Sequence, residues 1–301
     1  MKKFDLQLFA VIENTTVTTD ITVQARELDF VTQFGKNWQG LRDVLSIMKP
    51  IKKTPGTTLV SYETKVTLED GTVAEGEVIP FSKATITPKK KEDITISKYA
   101  KNITIEDVSK YGAKVAVQKT DEAFRNELQN KVMGDFYKFL VTGSLAVQAA
   151  SFKEGVAKSI GAVKDKFKKM RMDAGKVIVF VNTLDAYDYL GAAELTIQTA
   201  FGIDYVENFM GADKLILTSD IASKKIIAVP ANNIDLYYID PSDSEFAQLG
   251  LNYTVEGETN LIGFHVDGDY SRATGATYAL MGMKLWAEYL DGIAVTTVAG
   301  A

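Results

Sequence analysis

The stretch "TTLVSYETKVTLEDGTVAEGEVIPFSKATIT", residues 57–87, holds the pattern on which the architecture turns. Val60, Tyr62, Val66 and Leu68 alternate with polar residues, the period-2 signature of a strand. "EDGT" then offers Asp70-Gly71 as a tight hairpin turn. The return limb carries Val78, Ile79 and Phe81, and Pro80 marks it as an edge or irregular strand, because proline cannot donate to a ladder. The tip is acidic (Glu69, Asp70, Glu75, Glu77) and the base is basic (Lys89 to Lys91). A two-stranded ribbon of this length is marginal alone and gains stability only by packing on something else. Left to itself it is a solvated hairpin; otherwise it needs a partner surface.

Upstream, "ENTTVTTDITVQ" (13–24) is Thr-rich and short of large apolar residues, which predicts an extended arm. A short helix is expected around "DFVTQFGKNWQGLRDVLS" (29–46), where Phe30, Phe34, Trp38, Leu41 and Leu45 recur at spacings of three and four, with Pro50 ending the segment. The chain starts "MKKFDLQLFA". A secretory segment needs an apolar run of roughly 7–15 residues, and Asp5 and Gln7 interrupt this one.

Downstream, an alternating strand pair, "DITIS" and "NITIEDV", gives way to helical period. In "TDEAFRNELQNKVMGDFYKFLVTG" (120–143), Phe124, Leu128, Val132, Phe136, Phe139 and Leu140 fall on one face. Thr120 is the expected N-cap and Gly143 the expected stop, with a possible start as early as Ala113. Gly134 costs a helix interior about 1 kcal/mol relative to alanine, which close packing there would explain.

Residues 151–249 read as a compact α/β unit. A helix with Val156, Ile160, Val163, Phe167 and Met170 in line leads to the strand "KVIVFVN" and a helix at "TLDAYDYLG", then the strands "KLILTS", "KKIIAVP" and "IDLYYID". From 250 onward, "LNYTVEG", "LIGFHVDGDY", "TYALMGMKLWAEYL" and "DGIAVTTV" read as strands again. The outer thirds thus flank the middle unit as though it were inserted into them.

Composition narrows the chemistry. With 301 residues, 46% hydrophobic and 24% charged, the chain is an ordinary soluble globular type, and no apolar run approaches the roughly 20 residues of a membrane span. It has no cysteine, so disulfides, thiol nucleophiles and Cys-containing zinc sites are excluded. Its single histidine, His265, lies in an alternating stretch and reads as a structural strand residue. There is no GxGxxG or GxxxxGK[ST] phosphate loop. "DGD" at 267–269 lacks the rest of a calcium loop and reads as a solvated turn. The lysine runs at 89–91 and 166–171 lack interleaved aromatics and read as solvated or salt-bridged faces. A net charge of −5 argues against tight, sequence-reading contact with nucleic acid. No catalytic, cofactor or metal site is expected. What remains is a set of projections that need a partner, and a second copy of the chain is the commonest kind.

The order of parts resembles the major capsid proteins of tailed phages of the Hong Kong-97 type, over essentially the whole chain. The resemblance implies an α+β fold divided into an N-terminal arm (1–50), an extended loop (51–97), a peripheral domain with a long spine helix (98–150), an inserted axial domain (151–249) and a peripheral return (250–301). "VIVFVNTLDAYDYLG" and "ADKLILTSDIASKKIIAVPANNIDLYYID" resemble axial-domain wording in phages of Gram-positive hosts. "FDLQLFA" (4–10) resembles the start of such capsid and scaffold proteins and of a large-subunit ribosomal protein in Firmicutes. By that resemblance Leu6, Gln7, Phe9 and Ala10 form a processing tag, cut after Ala10 by a host cysteine protease, although Asp5 and Leu8 depart from the commoner wording.

The resemblance further implies a non-enzymatic shell protein of the virion, assembled in the host bacterial cytoplasm from hexamers and pentamers. Its partners would be copies of itself, a separate scaffolding protein and a portal protein, around double-stranded DNA held without sequence-specific binding. Tyr62, Val66, Glu69, Asp70, Glu75, Glu77, Val78, Ile79 and Phe81 would then make inter-subunit contacts. No Lys-Asn-Glu crosslinking trio stands out. The alternatives are an encapsulin nanocompartment shell, whose members typically begin with a helix, and a cytosolic α/β enzyme built on 151–249.

Overall fold

The computed structural model describes residues 18–45, 50–191, 197–200, 202–231, 233–255 and 260–299. The expected tag residues Leu6, Gln7, Phe9 and Ala10 lie outside them. The first described element corrects the arm reading. Helix α1 spans Thr18–Leu45, so much of the Thr-rich stretch is helical. Phe30, Phe34 and Trp38 are buried, and that tertiary burial outweighs the weak local helix preference of the segment before them.

Two sheets follow. Strands β1 (Ile51–Lys53), β4 (Ile96–Thr104), β11 (Ile234–Ile239), β12 (Gly263–Asp269) and β13 (Thr274–Ala287) form a five-stranded sheet. β13 is its hub: residues 274–282 pair with β4, 274–280 with β12 and 282–287 with β11. "DITIS" and "NITIEDV" therefore contribute to one continuous strand, whose end caps helix α2 (Ile105–Tyr111) through the Thr104 hydroxyl. "IDLYYID", grouped with the middle unit by its neighbours in sequence, joins this sheet instead. "LNYTVEG" leaves only an isolated bridge between Thr254 and Phe264 among the described residues.

The second sheet has seven strands in the order β5 (Leu145–Ala149), β14 (Ala294–Val298), β10 (Lys225–Pro230), β6 (Val177–Asn182), β9 (Lys214–Thr218), β8 (Ile203–Glu207) and β7 (Gln198–Ala200). It draws β5 and β14 from either side of 151–249. The run "VIVFV" is apolar throughout because both faces are covered. Ile178 and Phe180 join the main core with helix α1 and the long helix α3 (Thr120–Leu140), whereas Val177, Val179 and Val181 pack under helix α4 (Phe152–Lys169). α4 seats its Val156, Ile160 and Val163 there; a Cβ on Gly155 would stand 2.7 Å from the Ile226 Cδ1, so glycine permits the close approach. Helix α5 (Thr183–Leu190) follows β6, capped by Asn182.

The long helix α3 (Thr120–Leu140) buries Leu128, Val132, Phe136 and Leu140 as its periodicity predicts. It continues from a π-helical segment, Lys114–Lys119, so Thr120 is not an N-cap: it is helical, and its hydroxyl donates back to the Ala116 carbonyl at 2.6 Å. Among the described residues nothing stands within 4 Å of a Cβ on Gly134, so close packing against them is not its reason. Gly143 is different: a Cβ there would lie 2.7 Å from the Ile293 carbonyl.

Candidate inter-subunit surface

Among the described residues, strands β2 (Thr58–Thr67) and β3 (Lys83–Asp93) pair only with each other, as a ribbon carrying a loop at 68–82. Asp70-Gly71 does not make a tight turn. The loop spans the whole acidic segment and holds itself by short-range polar bonds: Asp70 accepts from the Thr72 amide at 2.9 Å, Glu77 from the Ala74 amide at 3.2 Å, and the Ser82 hydroxyl from the Glu69 amide at 3.2 Å. The Thr72 bonds hold the Asp70 carboxyl below its ordinary range. Val78, Ile79 and Phe81, expected in the return strand, belong to this loop, because β3 begins only at Lys83. Pro80, with no N–H, suits that irregular backbone.

The ribbon's base is anchored. β1 enters it and β4 leaves it, both tied to the five-stranded sheet. Leu59 and Ile94 are buried with Ile239 and Trp286, and the Lys90 ammonium lies 4.7 Å from the Trp286 ring centre. Glu92 accepts from Lys284 at 2.6 Å and Lys90 at 2.8 Å. Burial pushes the Glu92 carboxyl up, but those two ammonium groups together hold it below its ordinary range. Nearby, Lys52 reaches the buried Asp240 at 2.7 Å. Mid-ribbon, register slips at Ser61/Tyr62, which face Lys90 and Pro88, leaving Lys89 as a bulge.

Register decides what the projecting part offers. Tyr62 faces Pro88 and Val66 faces Ala84, and Ile86 lies two residues from each of these on the same face. Lys65 with Thr85 and Thr67 with Lys83 occupy the other face. The ribbon is amphipathic, and its apolar face is uncovered: Tyr62, Val66 and Ile86 are exposed. So are Leu68, Val78, Ile79 and Phe81 in the loop, Phe81 at 95%. The nine residues expected to make contacts thus sit on one projection, the apolar ones bare and Glu69, Asp70, Glu75 and Glu77 exposed beside them. Sequence reading missed Ile86; the Ala84-Ile86-Pro88 alternation within "KATITPKKK" was its signal.

Elsewhere the chemistry is structural. His265 sits in β12 with Nδ1 3.5 Å from the Glu27 carboxylate, its ring flanked by Tyr253 and Tyr278. Glu27 is buried and accepts from the Thr254 hydroxyl at 2.5 Å and the Val266 amide at 2.7 Å, docking α1 to β12. Arg26 beside it pairs with Asp121, which also holds Lys101 at 2.6 Å. Burial raises the Asp121 carboxyl, and the two cations more than offset it, holding it low. Asp269 at the end of β12 accepts from Ser271, as a solvated turn does. Among the described residues no three His, Cys, Asp or Glu side chains group as a metal site, and no helix is long and apolar enough to cross a membrane.

No family model matches the chain, and no curated protein sequence matches it. Solved structures do. The mature capsid of bacteriophage PhiM1 aligns at a TM-score of 0.57 with 6% identity, covering 84% of this chain and 86% of that one. The capsid of cyanophage P-SCSP1u aligns at 0.53 with 8% identity, over 100% and 93%. The encapsulin SrpI from Synechococcus elongatus aligns at 0.51 with 10% identity, over 85% and 86%. With its long helix, its projecting ribbon and its two sheets, the chain has the Hong Kong-97-like capsid fold.

Proposed function

We propose that the protein is a structural shell subunit, the major capsid protein of a tailed phage of a Gram-positive host. The observation that carries this reading is the amphipathic ribbon, anchored at its base and bare along one face. Such a surface has no stabilising role in a monomer. Laid on an adjacent subunit, the apolar face gains roughly 25 cal/mol for each Å² removed from water, repeated at every contact of a closed assembly. Residues 51–97 act as the extended loop, 98–150 and 250–301 as the peripheral domain, and 151–249 as the core of the axial domain. Hexamers and pentamers would enclose double-stranded DNA, with a separate scaffolding protein and a portal, in a virion assembled in the bacterial cytoplasm. The net charge of −5 keeps the chain from adhering to packaged DNA. The role is assembly, not catalysis.

One observation favours an encapsulin shell instead: α1 is a helix where an extended arm was expected, and a helical start typifies that group. "FDLQLFA" favours the phage reading. Negative-stain electron microscopy with intact-mass measurement on the same sample tests both. Closed shells or rings of five or six support the shell; loss of residues 1–10, leaving Val11 first, supports the processing tag. Copurified enzyme cargo would select the encapsulin. A monodisperse monomer or dimer would refute the shell and return attention to an enzyme built on 151–249.

A further inference from the structure

The chain holds three Asp-Gly steps: Asp70-Gly71, Asp267-Gly268 and Asp291-Gly292. Such a step is chemically weak, because glycine has no Cβ to keep its backbone nitrogen away from the preceding side-chain carboxyl. When that nitrogen attacks Cγ, an N–Cγ bond forms and the carboxyl hydroxyl departs as water with the amide proton, closing a five-membered succinimide. Water then opens the ring at either carbonyl. Attack at Cγ restores aspartate; attack at the main-chain carbon leaves isoaspartate, with the chain running through the β-carbon. No other reagent is needed. The fold treats the three steps differently.

Asp267-Gly268 lies within β12, paired with β13 opposite Ala276 and Gly275. The Gly268 amide donates to the Asp267 carboxylate at 2.8 Å. A donating N–H points at its acceptor within the peptide plane, whereas attack needs the face of the nitrogen turned to Cγ. Ladder and hydrogen bond must therefore both open first. Asp291-Gly292 is held by packing. Asp291 pairs with Lys166 at 2.7 Å, the Gly292 amide donates to the Tyr289 carbonyl at 3.0 Å, and a Cβ on Gly292 would stand 2.6 Å from the Phe167 ring. Asp70-Gly71 has neither restraint. Both residues are exposed in the 68–82 loop, and among the described residues the Gly71 amide donates to nothing and the space about Gly71 is open. The Asp70 carboxylate accepts from the Thr72 amide at 2.9 Å, which closes a ring of atoms containing the Gly71 nitrogen and folds Cγ back over the atom that attacks it. We propose that the fold confines isomerisation to Asp70, a spontaneous modification site at the projecting end of the ribbon. The product lengthens the main chain of the loop by one carbon and takes the carboxylate away from the Thr72 amide, so an aged chain differs from a fresh one there.

Heavy-oxygen water reads the step, since each ring opening inserts one heavy oxygen. Folded protein incubated in it at neutral pH, then digested with trypsin in ordinary water, should carry the label in the peptide from Val66 to Lys83, which holds Asp70. Label at Asp267 and Asp291 should accumulate at least about tenfold more slowly, because reaction there waits on local opening. An isoaspartate-specific methyltransferase should methylate the Asp70 peptide alone. Protein held unfolded in guanidinium chloride should label at all three steps at comparable rates. Gly71→Ala, whose Cβ meets nothing among the described residues, should fold normally and lose most of the label. Folded protein that takes no label at Asp70, or that labels Asp267 or Asp291 as fast, overturns the inference. So does an unfolded chain that labels at Asp70 alone, since local sequence and not the fold would then choose the site.

Discussion

Replacing Phe30 with alanine tests whether α1 is part of the body or a detachable arm. The Phe30 side chain is 2% exposed, and its ring stacks on Phe264 at 3.8 Å between centres and 10° between planes. The Phe124 ring lies 6.2 Å away and the Arg125 guanidinium 5.8 Å from the Phe30 centre. Truncation leaves a cavity bounded by a helix, a strand and a second helix, none of which can collapse freely. The cost expected for such a site is about 3–5 kcal/mol, of which the ring pairing contributes about 0.5–1.5 kcal/mol. Urea unfolding of disassembled protein at neutral pH measures it. Trypsin gives a local readout, since Arg26, Lys36 and Arg42 all lie in α1 and should be cut much faster in the variant. Phe81→Ala is the control: loss of a ring that is 95% exposed should change monomer stability by no more than about 0.5 kcal/mol, while assembly is lost. A loss below about 1 kcal/mol for Phe30→Ala, with α1 cut as fast in the parent protein, would refute the packing argument and restore the arm.

Three further outcomes are expected. Gly134→Ala should raise monomer stability by about 0.5–1 kcal/mol in thermal melts, since a Cβ meets nothing there, whereas Gly143→Ala should lower it by about 1–3 kcal/mol against the Ile293 backbone; equal effects would refute the distinction. At Asp240, burial raises the carboxyl but Lys52, Ser242 and Asn260 bring it down to about 2. A depressed carboxyl stabilises above its unfolded value near 4 and loses that stabilisation as pH falls through about 2, so Asp240→Asn should flatten the acid limb of stability against pH over that window. Assembly followed by light scattering should slow as salt rises, and Glu69→Gln/Glu75→Gln should weaken that dependence, because exposed charges across a contact are screened within about 10 Å at 0.1 M; an unchanged salt slope would place the loop carboxylates outside the contact.

Much of the candidate site could be read in advance. Alternation at Tyr62 and Val66, the acidic run and the absence of any reactive constellation pointed to an interaction surface, because period and composition are properties of the local chain. The position of Phe81 could not be read this way. Its strand-like neighbours suggested pairing, but pairing depends on a partner at the right register, and β3 finds one only from Lys83 onward. Ile86 escaped for the same reason: the bulge at Lys89 determines which face it shares.

The sequence by itself determined the long helix α3, the buried strand β6 and the amphipathic α4. Their side-chain spacing matches one backbone period over many residues, and no alternative buries those residues as well. Tertiary structure decided the rest. It made a Thr-rich stretch helical by burying the three aromatics that follow it. It sent "IDLYYID" to the five-stranded sheet and recruited β5 and β14, more than 140 residues apart in sequence, to one edge of the other. Such choices depend on which distant backbone is free to complete a ladder, and no local pattern carries that information.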